Sequence, residues 1–153
     1  MTNLNPPIKH VLLIDENAED GVFFQQALGE AAPQARLCWA RTAGQAQEIL
    51  ETFTPDIIFL GIDTDPTRPA ATLESLMTPS VFRTVPVVLH SHGGNPTAMA
   101  LAYSLGANMH FKKPAHYPVL VMGLRKVLEL DWTGNGAPLH LYSNLPVSAP
   151  RVA

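Results

Sequence analysis

With 153 residues, 46% of them hydrophobic and 15% charged, the chain fits one domain with a buried core and is not disordered. A formal net charge of −3, with ten Lys and Arg scattered along the chain, excludes a nucleic-acid-binding surface. A lone Cys38 excludes a disulfide framework or a Cys-rich zinc module, and no apolar run nears the roughly 18 residues that span a bilayer.

Met1 to His10 is polar and Pro-containing, without the apolar stretch of a signal peptide, so a cytoplasmic location without membrane contact is expected. The run His10 to Ile14 is continuously apolar after its first residue, as in a strand buried on both faces. It stops at Asp15-Glu16. Asn17 then offers a helix N-cap, Glu19 and Asp20 suit the first turn, and Phe23, Phe24, Ala27 and Leu28 keep helical spacing. Gly29 is the expected stop. A second strand is predicted over Ala35 to Ala40. Ala46, Ile49, Leu50 and Phe53 recur at i, i+3, i+4 and i+7, the spacing of a second helix.

Pro55 introduces a third strand, Asp56 to Ile62, followed by a polar loop with Asp63, Asp65 and Pro66 and a short helix over Ala70 to Met77. Val85 to Leu89 reads as the fourth strand, with Pro86 near its start, where a missing N–H is tolerated. Asn95-Pro96 is a cap-plus-N1 pair. Ala98, Leu101, Ala102 and Leu105 continue it as a helix that Gly106 ends. Asn108 to Phe111 is the fifth strand, closed by Lys112-Lys113-Pro114. The last helix, about Pro118 to Leu130, carries Leu120, Leu124, Val127 and Leu128 on one face, with Val119 and Met122 as a second apolar set. The fourteen Pro mostly punctuate these segments or mark the chain ends.

Strand and helix alternate five times, which predicts an α/β fold: a doubly wound parallel five-stranded sheet with helices on both faces. The domain is expected over residues 8–130, with a C-terminal extension over 131–153 in which Trp132 and Tyr142 cover a helix end. Ligands of such sheets gather at the C-terminal strand ends. That singles out Asp15, Glu16, Gly61, Asp63, Ser91 and Lys113. Acids at strand ends also serve as caps, and a Ser after a strand is often turn chemistry. His90, His92 and His110 are three ligand types for zinc or copper. A surface pair plus one switch-like His is the reading preferred for them.

Four segments carry a family resemblance: Leu12-Leu13-Ile14-Asp15-Glu16-Asn17, Pro55-Asp56-Ile57-Ile58-Phe59-Leu60, Pro86-Val87-Val88-Leu89-His90-Ser91, and Leu105-Gly106-Ala107-Asn108 through Lys113-Pro114. In this order and spacing the chain resembles the receiver domain of two-component response regulators, and its tail resembles that of phytochrome-associated single-domain regulators. The resemblance implies a flavodoxin-like (βα)5 fold with strand order 2-1-3-4-5. It also implies a stand-alone phosphorelay signalling protein rather than an enzyme, whose partner is a sensor histidine kinase or another signalling protein. In that family an Asp at the end of the third strand attacks a phosphohistidine, with Mg2+ offsetting charge on the phosphoryl group.

Carried over residue by residue, Asp15 and Glu16 become the acid pair, Ser91 and Lys113 the phosphoryl-oxygen contacts, His110 the switch position and Pro114 a cis-Pro. The phosphoacceptor position falls on Gly61, which has no side chain to phosphorylate. Glu16 and His110 also depart from the usual Asp and Tyr or Phe. An atypical pseudo-receiver is therefore expected, with no cofactor beyond weak Mg2+ and with Gly61→Asp restoring some reactivity if the remaining pocket is intact. Asp63 as a replacement phosphoacceptor is the alternative. The resemblance further implies a homodimer through the fifth strand and its flanking helices, for which Val119 and Met122 are the candidate face. A flavodoxin-like nucleotide- or flavin-binding module is disfavoured, because Asp15-Glu16-Asn17-Ala18 replaces a Gly-rich phosphate loop.

Overall fold

The computed structural model describes residues 8–61, 85–92, 96–104, 106–130, 132 and 147–148. Five strands pair in parallel in the order 2-1-3-4-5: β1 (His10–Ile14), β2 (Arg36–Ala40), β3 (Ile57–Gly61), β4 (Val87–Ser91) and β5 (Met109–Lys112). The predicted doubly wound sheet is present. Helices α1 (Ala18–Ala31) and α4 (Tyr117–Glu129) cover one face, where Phe24, Ala27, Leu28, Leu120 and Leu124 pack on Val11, Leu13, Phe59, Val88 and Phe111. On the other face α2 (Ala43–Leu50) and α3 (Pro96–Ser104) meet Leu12, Ile14, Ile58, Leu60, Val87 and Leu89 through Ala46, Ile49, Leu50 and Tyr103. Two-sided burial is the reason the strands are apolar without alternation.

Several boundaries move for local reasons. α1 runs through Gly29 to Ala31, and the Ala32 N–H closes it on the Leu28 carbonyl at 2.8 Å, just before Pro33. α2 begins at Ala43, three residues before its apolar stripe, because Thr42 caps the Gln45 N–H at 3.1 Å. β3 starts after Asp56, whose carboxylate accepts the Lys9 and His10 N–H groups at 3.0 and 2.9 Å and so fixes the start of β1. β4 runs to Ser91 instead of ending at Leu89: His90 and Ser91 are polar but stay paired to β3 and β5. Gly106 follows α3 at φ 117°, a left-handed turn that favours glycine.

One strand is absent from the sequence reading. β6 (Val147–Ser148) pairs antiparallel with β5, placing Ser148 opposite His110 and Val147 opposite Phe111. Trp132 is buried, and its indole donates to the Val127 carbonyl at 2.8 Å, so it covers the end of α4 as expected. Tyr142, Asp63, the predicted helix over 70–77 and the Asn95 cap lie outside the described residues. No described helix is long and apolar enough to cross a membrane.

Candidate functional site

The parallel register aligns the C-terminal strand ends, pairing Ile14 with Leu60 and Gly61 with His90. Asp15 and Gly61 therefore stand side by side, and Lys113 follows β5 on the same edge. Both Asp15 and Lys113 are about 5% exposed. The Lys113 ammonium donates to Asp15 Oδ2 and Asp20 Oδ2, each at 2.8 Å. Asp15 Oδ1 accepts the Asn17 N–H at 3.0 Å, so both carboxylate oxygens are engaged. The Lys113 backbone N–H donates to the Ser91 carbonyl at 2.6 Å and sets where the long side chain starts. Taking these charges out of water is costly, and two carboxylates around one ammonium offset that cost.

This arrangement leaves little room for a side chain at Gly61. A Cβ there would lie 2.7 Å from Asp15 Cγ and 2.8 and 3.0 Å from its two oxygens. The Asp15 carboxylate thus occupies the space that a side chain at position 61 would enter. A second close approach supports it from behind. Trp39 donates its indole N–H to the Asp15 carbonyl at 2.9 Å, and its ring lies where a Cβ on Gly21 would be, 1.9 Å away.

Asp20 is the site residue that sequence reasoning missed, and it brings His92 to the cluster. Asp20 was read as a helix-terminus acid. In the first turn of α1 it faces back over the strand ends, binding Lys113, with its carboxylate oxygens 3.2 and 3.3 Å from His92 Nε2. The available signal was a third acid near a single Lys. Glu16 is half-buried, and its carbonyl accepts from Arg41 at 2.8 Å.

Ser91 and His110 lie on the α2–α3 face, both buried, with Ser91 Oγ 2.6 Å from His110 Nε2. His90 points to the opposite face. Its ring stacks on Phe111 at 5.2 Å and 5°, with Phe24 edge-on at 5.4 Å. This corrects the expected surface pair: His92 is exposed, whereas His90 is 2% exposed, because strand alternation aims it into the α1–α4 core. Burial, and then the Lys113 charge, hold the His90 pKa well below its ordinary value. The cis-Pro expectation is also corrected. The bond before Pro114 is trans, and Lys113 reaches the acids through its ion pairs.

Among the described residues no group of three or more His, Cys, Asp or Glu is placed to hold a metal. A hard divalent cation needs several free oxygens. Asp15 is already taken and Gly61 supplies no side-chain oxygen, so the described residues alone do not fit Mg2+.

No protein-family model matches the sequence. No curated protein matches it either. Solved structures do match in fold. A phosphorylated cyanobacterial phytochrome response regulator, RcpA, superposes with a TM-score of 0.69 at 22% identity, covering 81% of this chain and 94% of that one. The Mn2+-bound form of response regulator Rcp1 gives 0.62 at 20% identity, covering 78% and 91%. The chemotaxis response regulator CheY4 of Vibrio cholerae gives 0.66 at 16% identity, covering 79% and 99%. At these identities the likeness speaks for architecture. The chain has the fold of response-regulator receiver domains.

Proposed function

We propose that this chain is an atypical receiver-like signalling module that does not accept a phosphoryl group at position 61 and acts through protein–protein contact. Its partner would be a sensor histidine kinase or another protein of a two-component or phosphorelay pathway. The fold supports the signalling class. One observation carries the pseudo-receiver reading: the Asp15 carboxylate lies over Gly61, held by Lys113 and the Asn17 N–H. An acyl phosphate needs a free carboxylate as nucleophile, with unspent positive charge close by. Here the strand-end position has no carboxylate, and the Lys113 charge is met by two acids. The Ser91 hydroxyl is likewise engaged, by His110. Rather than a pocket awaiting a phosphoryl group, the site is a closed ion-pair cluster that ties β1, β5 and α1 together.

Incubation with acetyl phosphate and Mg2+, followed by intact mass, tests this. The expected result is an unchanged mass. Gain of one phosphoryl group would overturn the proposal, and its loss in Asp63→Asn would identify Asp63 as the acceptor.

A further inference from the structure

β5 (Met109–Lys112) ends the row of parallel strands, and its first three residues are buried. Met109 and Phe111 belong to the α1–α4 core, while His110 lies on the other face. Lys112, exposed at the far end, is its one permanent charge. A flat apolar edge of this kind pairs readily with any further strand. Among the described residues, only the two of β6 cover it, antiparallel, with Ser148 opposite His110 and Val147 opposite Phe111. Pro146 and Pro150, on either side in the sequence, have no N–H with which to lengthen that ladder. Trp132 is anchored separately, on the Val127 carbonyl, and the 14 residues 133–146 lie between it and β6.

We infer that β6 is a detachable guard strand: docked, it shields β5 from strand addition, and released, it exposes Met109–Lys112 to antiparallel pairing with β5 of a second copy. Two residues make few backbone hydrogen bonds, and ordering them costs entropy of similar size, so docking stands close to balance. Trp132 stays buried against the end of α4, so β6 can leave without unfolding that helix. The covalent tether keeps β6 at a high local concentration, and in dilute solution it redocks before a second copy arrives. A second copy fits the vacated edge. A two-fold axis normal to the sheet runs two β5 strands antiparallel, the sense in which β6 already pairs. It also sets the two Lys112 side chains at opposite ends of the pair, away from each other. This edge is distinct from Val119 and Met122 on α4, and it is independent of whether position 61 can be phosphorylated.

NMR of the full wild-type chain tests the docked state. Interstrand NOEs between residues 110–111 and 147–148 are expected within one copy, with the β6 amides protected from exchange by less than about 100-fold. Absence of those NOEs, or protection equal to that of β4, would overturn the inference. So would NOEs found only between differently labelled copies, which would make β6 an exchanged strand instead of a guard. Val147→Pro, which removes a β6 N–H, tests release. It is made in the Met122→Glu chain, so that the α4 face is altered equally in both proteins. Light scattering should show the weight-average mass rising toward twice that of the Met122→Glu parent as concentration increases. Amides 109–112 should exchange faster than in the parent when dilute and slow again when concentrated. Equal masses with and without Val147→Pro, or association that leaves amides 109–112 open, would overturn the inference.

Discussion

At position 61 the structure places a glycine under a carboxylate, and a side chain added there meets Asp15 before anything else. Gly61→Asp would put three acids around Lys113, with like charges in a buried site. The Asp15 carboxylate would have to shift, so restoring reactivity requires rearranging the pocket as well as supplying the missing carboxylate. The variant should be less stable than wild type without metal and should regain stability with millimolar Mg2+, while the wild-type melting temperature stays unchanged. Equal stability of the two proteins, or no metal response in Gly61→Asp, would count against the crowding described here.

His90 offers a second test at this scale. The groups around it are Lys113 beyond β5, His110 on β5, His92 beyond β4 and Asp20 on α1, and burial is the largest influence on it. Its folded-state pKa is lowered, so below about pH 6.5 the unfolded chain binds the extra proton more readily. Stability is therefore full above that pH and falls as pH drops toward the folded value, with a limiting slope of about 1.4 kcal/mol per pH unit. Urea denaturation between pH 7 and 5 should show His90→Phe losing stability less steeply than the wild type. Parallel slopes would contradict the assignment.

Among the elements, the contact of α1 with β2 depends on Gly21. The Trp39 ring lies in the space of a Cβ at that position, and the same indole donates to the Asp15 backbone. Gly21→Ala should cost about 1–3 kcal/mol by overpacking, and it should shift the Trp fluorescence that reports the Asp15 turn. Unchanged stability and emission would refute this coupling. The elements themselves were legible because two-sided burial leaves continuous apolar runs, and helix stripes survive in Phe24, Ala27 and Leu28. Ends were less so. Backbone pairing carries β4 through His90 and Ser91, which polarity alone reads as a stop. Much the same holds for the site. Asp15 and Lys113 were visible from their places after strands, whereas Asp20 joins them only once α1 folds back over the sheet edge.

For the whole molecule, β2 is one edge of the sheet among the described residues, while β5 is covered in part by the two residues of β6. β6 was illegible because the three residues between Pro146 and Pro150 are too few to show periodicity. On α4, Met122 is 45% exposed and Val119 is half-buried. We propose this as the face of a homodimer that forms without phosphorylation. Light scattering across a concentration series should show a dimer for the wild type and a monomer for Met122→Glu. A monomer throughout, or a dimer indifferent to the substitution, would assign both residues to ordinary packing.

We propose that the cluster of Asp15, Lys113 and Asp20 fills the place of a phosphoacceptor site. Beryllofluoride, which mimics a phosphoryl group by coordinating a free carboxylate oxygen, probes that cluster without needing a turnover. Fluorine NMR of the protein with beryllofluoride and Mg2+ should show only the free species, because no carboxylate stands at position 61 and Asp15 is engaged. A protein-bound fluorine signal that saturates at one equivalent would contradict it.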